Sequence, residues 1–130
     1  MASCLFCTLA HSKDAIIYEN DECSVLLDIN PISKGHLLIL PKVHAEYLHQ
    51  LENKYLSSMM ILAKDIVNKL NIKKYNILQN NGNIQEIFHV HLHVIPVDAE
   101  GNKFKIVGGH LNYKDGELEE IKKEYKKLLN

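Results

Sequence analysis

Three histidines stand at alternate positions in the segment Phe88-His-Val-His-Leu-His-Val-Ile-Pro96. Because side chains along a strand alternate between its two faces, His89, His91 and His93 are predicted to share one face. Phe88 and the apolar residues between the histidines are predicted to face the core. An imidazole can bind a metal ion, transfer a proton near neutral pH or attack as a nucleophile. Three imidazoles in register favour a functional site over three unrelated histidines hydrogen-bonded to neighbours.

Polar residues elsewhere could join this histidine face. His36 follows Gly35 and opens an apolar strand, so it could meet the three histidines across a sheet. Asp28 ends the preceding strand, and its carboxylate either accepts hydrogen bonds from sugar hydroxyls or caps the turn at Asn30. Asn80 ends a later strand, and it is either an amide donor to a ligand or a turn residue. The residues alone leave both alternatives open.

The cysteines indicate a second kind of chemistry. Cys4 and Cys7 form a C-x-x-C pair, whose spacing allows two thiolates to chelate one metal ion or to act as a redox pair. A metal would need two further ligands from elsewhere in the chain. Cys23 lies in an apolar run and is predicted to be a buried strand residue.

The elements that must position these residues follow from the hydrophobic pattern. Apolar and β-branched runs predict five strands, over residues 15–19, 22–29, 36–40, 75–78 and 88–95. Apolar residues at steps of three and four predict two helices, over 51–70 and 116–129, the second capped by Asp115. Five strands with mostly short links and two separate helices predict an antiparallel α+β domain.

Length and charge restrict the function. The 130 residues fit one domain, and 46% hydrophobic with 24% charged residues is a globular composition. The formal net charge of −1 argues against electrostatic capture of nucleic acid or of an anionic membrane, but it allows a small phosphate ligand. The start of the chain does not resemble a signal peptide, and no apolar run reaches about 18 residues. We therefore expect a cytoplasmic protein that does not cross a membrane.

The chain resembles the histidine triad (HIT) superfamily, whose signature is three histidines alternating with apolar residues. The N-terminal half agrees in order and spacing through Cys4-Leu-Phe-Cys7, Tyr18-Glu-Asn-Asp21, Leu27-Asp-Ile-Asn-Pro31 and Gly35-His-Leu-Leu-Ile-Leu-Pro-Lys-Val-His44. Gly116-Glu-Leu-Glu-Glu-Ile resembles the closing helix of the bacterial-type branch.

The resemblance implies a single domain over 1–130, with a five-stranded antiparallel sheet and two helices. It also implies an N-terminal segment over 1–14 tethered by zinc, and a C-terminal helix over 115–129. Two subunits would pair through the long helix and a strand edge, giving a ten-stranded sheet in a homodimer.

The family also implies an activity, which is nucleotide hydrolysis or transfer at the α-phosphorus through a nucleotidyl-histidine intermediate. By position, His91 would be the nucleophile, and His93 would contact the phosphate or protonate the leaving group. His36 would lie at the same phosphate region. The implied substrates are purine nucleotides, such as AMP or an adenosine phosphoramidate, and no catalytic cofactor is expected.

Nucleotide binding would use three further residues. The resemblance assigns Asp28 to the ribose hydroxyls, Asn80 to the phosphate and Gln85 to the neighbourhood of the phosphates. Two departures from the family pattern lie beside them. The loop 82–85 is about two residues short, and Glu86 stands where a serine or threonine is common. A carboxylate there loses a hydroxyl donor and could repel phosphate.

The zinc-carrying branch implies a structural zinc ion bound by Cys4, Cys7, His44 and His89. Such a Cys₂His₂ set forms a closed tetrahedral site that leaves no coordination position for catalysis. The alternative is a pair of free thiols without a metal. The remaining histidines match no motif and are predicted to be surface residues: His11, His49 and His110.

Other functions compete with this hypothesis. A dinucleoside polyphosphate hydrolase would use the same histidines, and a nucleotide-binding protein with weak or no catalysis could result from the altered loop. A zinc hydrolase would instead bind an open metal through His89, His91 and His93. That last arrangement is unfavourable, because ligands at every second position of one strand converge poorly on a single ion.

Overall fold

The computed structural model describes residues 4–130. The helices are α1 (Leu5–Leu9), α2 (Asn53–Lys69) and α3 (Glu117–Leu129), with one 3₁₀ turn at Leu48–Gln50. The strands are β1 (Tyr18–Glu19), β2 (Cys23–Leu27), β3 (Leu37–Pro41), β4 (Tyr75–Gln79) and β5 (Leu92–Pro96).

All five strands form one antiparallel sheet in the order β1-β2-β3-β5-β4. The predicted five-stranded antiparallel α+β fold is therefore confirmed. Strand β5 lies between β3 and β4, and its register places His93 opposite both Leu38 and Leu78. The histidine strand is thus internal to the sheet, and backbone hydrogen bonds to both neighbouring strands hold it in place.

Helix α2 covers one face of the sheet. The residues that it buries recur at helical spacing and are Met59, Leu62, Ala63, Ile66 and Val67. They pack on the inward residues of the central strands, which include Val25, Leu37, Ile39, Leu92 and Val94. The helix ends at Lys69, and the chain turns at Asn71, whose φ of 55° is the left-handed conformation common after helices.

Helix α1 lies over the opposite face and was not predicted from the sequence. It buries Phe6, which clusters with Ala10, Leu26, Leu38 and Leu40. With only five residues, α1 is too short to show a helical period. Its position matters for function, because the three histidines project from this same face of the sheet.

The histidine strand begins later than predicted. The ladder of β5 starts at Leu92, and Phe88 is 51% exposed instead of facing the core. Before that point the backbone makes other bonds, since the His89 N–H donates to the Ile87 carbonyl and the Val90 N–H to the Ala45 carbonyl. The alternation still holds from Val90 onward, because the apolar residues are buried in the α2 core.

From residue 105 to residue 116 the chain is exposed and forms neither a helix nor a strand. No residue of α3 is buried by the rest of residues 4–130. The predicted cap at Asp115 is wrong, because the N-cap is Gly116 with φ of 81° and it makes no side-chain capping bond. Within the part of the chain that the structure describes, no helix is both long and apolar enough to cross a membrane.

Candidate active site and metal-binding cluster

A cavity of about 400 Å³ lies between α1 and the histidine face of the sheet. This volume is within the range of small-ligand pockets. Its polar lining residues are Asp28, Asn30, His36, Asn80, Glu86, His91 and His93. Most of its remaining wall is apolar and comes from α1, β2 and the loop that follows β2. The cavity therefore has a cluster of imidazole side chains at one part of its wall and an apolar surface, suited to a flat ring, at another.

His91 has a defined tautomer. Its Nδ1 lies 2.7 Å from the backbone carbonyl oxygen of His89. A carbonyl can only accept a hydrogen bond, so Nδ1 carries the proton and Nε2 carries a lone pair. The Phe6 and His91 rings pack nearly perpendicular to each other, with their centroids 4.9 Å apart. His91 is therefore a neutral imidazole with a nucleophilic Nε2.

His36 and His93 form a directed hydrogen-bond chain. The Ile32 N–H donates to Nδ1 of His36 at 3.1 Å, so the His36 proton is on Nε2. That Nε2 lies 2.9 Å from Nδ1 of His93 and 3.5 Å from Oδ2 of Asp28. His93 accepts at Nδ1 and must carry its own proton on Nε2. One cavity thus holds a nitrogen lone pair on His91 and an N–H donor on His93.

Burial keeps these imidazoles neutral. Desolvation lowers the pKa of His36 and of His91 below the ordinary value of 6.5, partly offset for His36 by the Asp28 carboxylate. Burial, together with the neighbouring His91 and His36, lowers the pKa of His93 to about 4. At neutral pH, His91 is therefore protonated only at Nδ1, whereas His36 and His93 are protonated only at Nε2.

These lowered values predict acid sensitivity. On unfolding, His36 and His93 regain a pKa near 6.5, so the unfolded chain binds more protons below that pH, and stability falls as pH drops from 6.5 toward 4. The pKa of about 4 for His93 corresponds to a loss of roughly 2 to 3 kcal/mol over this window. Urea unfolding at pH 7, 6 and 5 measures the slope. The variant His93→Asn should have a shallower slope, and equal slopes would contradict the assignment.

Asp28 caps a turn and also faces the cavity. Its Oδ1 accepts the N–H of Asn30 at 2.8 Å and so caps the turn. Its Oδ2 faces His36 and the cavity. Asn80 lines the cavity from the end of β4. Both predicted ligand-binding residues are therefore at the cavity wall.

Gln85 lies elsewhere. Its Oε1 accepts the Gly82 N–H at 2.9 Å, and its Nε2 donates to the Glu46 carbonyl at 2.8 Å. It is buried and does not line the cavity, so its amide holds the loop 82–85 in place. Ile84 in this loop has φ of 63°, a strained conformation for a β-branched residue.

The second cluster has the geometry of a metal site. Nδ1 of His89 lies 3.5 Å from Sγ of Cys4, 3.4 Å from Sγ of Cys7 and 3.3 Å from Nδ1 of His44. A tetrahedral zinc ion with bonds of ordinary length would separate a nitrogen ligand from each of the other ligands by about 3.3 to 3.6 Å. Nε2 of His89 donates to the Pro41 carbonyl at 3.0 Å, which leaves Nδ1 unprotonated for a metal. The four residues therefore fit a metal ion.

The three histidines of the triad have three different sets of partners. His89 belongs to the cysteine cluster, His91 bonds to its own backbone, and His93 bonds to His36. They do not converge on one ion, as an open zinc site would require. Asp28, His36 and His93 also lie within metal-ligand range of one another. Because the proton of His36 is on the nitrogen that faces this group, the group is better suited to proton transfer than to metal binding.

The other histidines lie outside both sites and are exposed. His11 has its Nε2 at 3.1 Å from the Lys42 carbonyl, and His49 stacks on Tyr47. His110 is in the irregular segment before α3.

The HIT domain family matches residues 10–100 of this chain. The chain therefore belongs to the HIT family, as its fold and its histidine arrangement indicate.

Individual relatives extend over almost the whole chain. The adenosine 5'-monophosphoramidase HNT1 of Saccharomyces cerevisiae is 36% identical, over 98% of this chain and 82% of its own length. The crystal structure of the histidine triad nucleotide-binding protein from Candida albicans superposes with a TM-score of 0.85 and 30% identity, covering 98% of this chain and 97% of its own. A zinc-bound histidine triad family protein from Mycobacterium smegmatis has a TM-score of 0.67 and 31% identity, covering 82% and 84%.

Proposed function

We propose that the protein hydrolyses purine nucleoside phosphoramidates, or other small adenylated compounds, at the α-phosphorus. The observation that carries this proposal is the pairing, in one cavity, of a lone pair on Nε2 of His91 with a proton on Nε2 of His93. A nucleophile that can attack the phosphorus and a hydrogen-bond donor for the leaving nitrogen on an adjacent ring favour displacement of an amine from phosphorus.

In the proposed reaction, Nε2 of His91 attacks the α-phosphorus and the bond to the leaving nitrogen breaks. The carbonyl of His89 stabilises the positive charge on the His91 ring, because it accepts the Nδ1 proton. The Nε2 N–H of His93 donates a hydrogen bond to the leaving nitrogen, and the N–H of His36 orients the His93 ring. The leaving nitrogen takes a proton from water and departs as an amine. The hydroxide that remains attacks the phosphorus, breaks its bond to Nε2 of His91 and releases the nucleotide.

The rest of the cavity would bind the nucleoside. The base would lie against the apolar wall that α1 and β2 form, and Phe6 belongs to this wall. Asp28 would accept hydrogen bonds from the ribose, and Asn80 would donate to the phosphate. The similarity to an adenosine 5'-monophosphoramidase supports adenine nucleotides as ligands.

We further propose that Cys4, Cys7, His44 and His89 bind a structural zinc ion. The donor set of two thiolates and two imidazoles is one that zinc prefers, and its ligand spacing fits a closed tetrahedral site. The zinc-bound relative supports this identity. An ion there would join α1 to the segment that carries the three histidines. It would therefore affect the cavity by holding α1, which forms part of the cavity wall, in place.

We also propose that two copies of the chain pair as a homodimer. Strand β4 is an edge of the sheet, and its Tyr75 and Ile77 are about 40% exposed. Helix α3 presents an apolar stripe that includes Tyr125 and Leu128, both exposed. A second copy would pair along such an edge to form the ten-stranded sheet and would cover apolar surface. Sedimentation equilibrium at micromolar concentration should give twice the mass of the chain.

The function is tested by comparing substrates on one enzyme preparation. We expect adenosine 5'-phosphoramidate to be hydrolysed to AMP and ammonia with a kcat/KM well above that for diadenosine tetraphosphate. The reverse preference would identify a dinucleoside polyphosphate hydrolase. Tight AMP binding without turnover of either compound would identify a binding protein and contradict the proposal.

A further inference from the structure

The cavity contains fixed negative charge and no fixed positive charge. Asp28 and Glu86 both line it, and among its described lining residues there is no lysine or arginine. A pocket that accepts a polyphosphate ordinarily offers cations to offset the charge. The fixed charge of this cavity therefore disfavours any ligand part more anionic than a single phosphate.

The two carboxylates are separated by the histidines. Asp28 directly follows β2, and Glu86 lies in the loop between β4 and β5. In the sheet order β1-β2-β3-β5-β4, strand β2 lies on one flank of β3 and β5, and β4 lies on the other. Asp28 and Glu86 therefore approach the cavity from opposite flanks of these two strands. If the nucleoside lies on the Asp28 side of the α-phosphorus, its other large substituent, the leaving group, extends toward Glu86.

The backbone beside Glu86 is held in place, while its carboxylate is unpaired. The neighbouring Gln85 is anchored at both ends of its amide, to Gly82 and to Glu46. Asp28 already accepts the Asn30 N–H and faces His36. Among residues 4–130, by contrast, no side-chain cation forms a salt bridge with Glu86. Glu86 is therefore an exposed carboxylate at the cavity wall that can pair with a cation on the ligand.

We infer that Glu86 determines leaving-group specificity and that it selects an amine leaving group bearing a second, cationic amine. This inference rests on the proposed function and names the substrate class of the same site. The ammonium end of such a leaving group would pair with the Glu86 carboxylate while its other nitrogen is bonded to phosphorus. An anionic leaving group, such as a nucleoside polyphosphate, would be repelled.

The test uses three adenosine 5'-phosphoramidates of matched length, whose leaving groups are 1,4-diaminobutane, butylamine and 4-aminobutyrate. For the wild-type protein we expect kcat/KM for the diamine to exceed that for butylamine roughly fivefold, as one partly exposed ion pair allows, and the 4-aminobutyrate compound to be slowest. In Glu86→Gln the diamine-to-butylamine ratio should fall to about one. Glu46→Gln removes the same charge from an exposed residue outside the cavity and should keep the wild-type ratio.

A binding measurement separates this inference from the proposed function. Adenosine 5'-O-sulfamates carrying an aminobutyl or a butyl group cannot react at phosphorus, and their affinities can be compared by calorimetry. The aminobutyl compound should bind more tightly to wild type, and this difference should vanish in Glu86→Gln. If binding shows this pattern without turnover of any phosphoramidate, the specificity stands and the hydrolase proposal fails. Equal affinities in wild type, or a preference that survives in Glu86→Gln, would overturn the role of Glu86.

Discussion

Replacing His91 with alanine will reduce turnover of adenosine 5'-phosphoramidate on the order of 10⁴-fold, the scale of nucleophile removal in covalent catalysis. The reason is geometric. The only proton of the neutral His91 ring is committed to the His89 carbonyl, so Nε2 is available to attack. His93 cannot substitute for it, because Nδ1 of His93 accepts from His36 and its other nitrogen carries the proton.

The loss should appear in kcat, while AMP affinity changes little. His91 is 7% exposed and packs on Phe6, so the alanine variant also leaves a small cavity that could lower stability. His91→Gln keeps most of the side-chain volume and should lose as much activity, which separates chemistry from packing. Exposed His11→Ala is the matched control and should retain wild-type turnover.

Mass spectrometry of the acid-sensitive intermediate gives an independent measurement. Wild-type protein quenched during turnover should carry one nucleotidyl group on the peptide that contains His91. The adduct should be absent from His91→Gln. Turnover of either His91 variant within tenfold of wild type, or an adduct on another residue, would contradict the mechanism.

The sequence predicted the sheet and the histidine face because both depend on local alternation. Val90, Leu92 and Val94 are buried against α2, as a period of two requires. It did not predict which nitrogen of each imidazole carries the proton. For His91 the proton position depends on the nearby His89 carbonyl, but for His93 and His89 it depends on the backbone of Ile32, acting through His36, and of Pro41, both distant in sequence from the triad. They arise only when the chain is folded.

Other features near the cavity also depend on tertiary contacts. Helix α1 is held by tertiary contacts of Phe6 and is too short for a periodic signal. The family resemblance placed Gln85 near the phosphates, whereas packing of the short loop directs its amide to the backbone of Gly82 and Glu46. The same loop brings Glu86 to the cavity wall, although the sequence identified it only as a departure from the family pattern.

Loss of the cysteine cluster should have the second large effect, on stability and on substrate binding together. The variant Cys4→Ser, or removal of metal by a chelator, should lower the free energy of unfolding by more than about 3 kcal/mol, because metal-binding energy contributes directly to folding. Cys4 is the N-cap of α1 and Cys7 lies within it, whereas His44 follows β3 and His89 precedes β5. Without an ion, α1 would be held to the sheet by apolar packing and by the hydrogen bond from Ser24 Oγ to the Ala10 carbonyl.

Loss of the ion should affect substrate binding because α1 forms part of the cavity wall. Leu5, Phe6 and Leu9 of α1 line the cavity, but none of them carries a reacting group. A loosened α1 should therefore raise KM for the phosphoramidate about tenfold or more. The change in kcat should be smaller, because His93 lies in β5 and His91 directly precedes that strand. This pattern differs from that of His91→Gln, in which kcat is lost.

Cys23 provides the matched control for the zinc site. It is a fully buried thiol outside the cluster, and burial raises its pKa to about 11, so it remains a protonated packing residue. Cys23→Ala should lose some packing energy yet retain one zinc ion per chain by elemental analysis, with KM unchanged. Cys4→Ser should lose the ion. If purified wild-type protein contains no zinc, or if Cys4→Ser matches Cys23→Ala in metal content and KM, then the cluster does not position α1 through a metal ion.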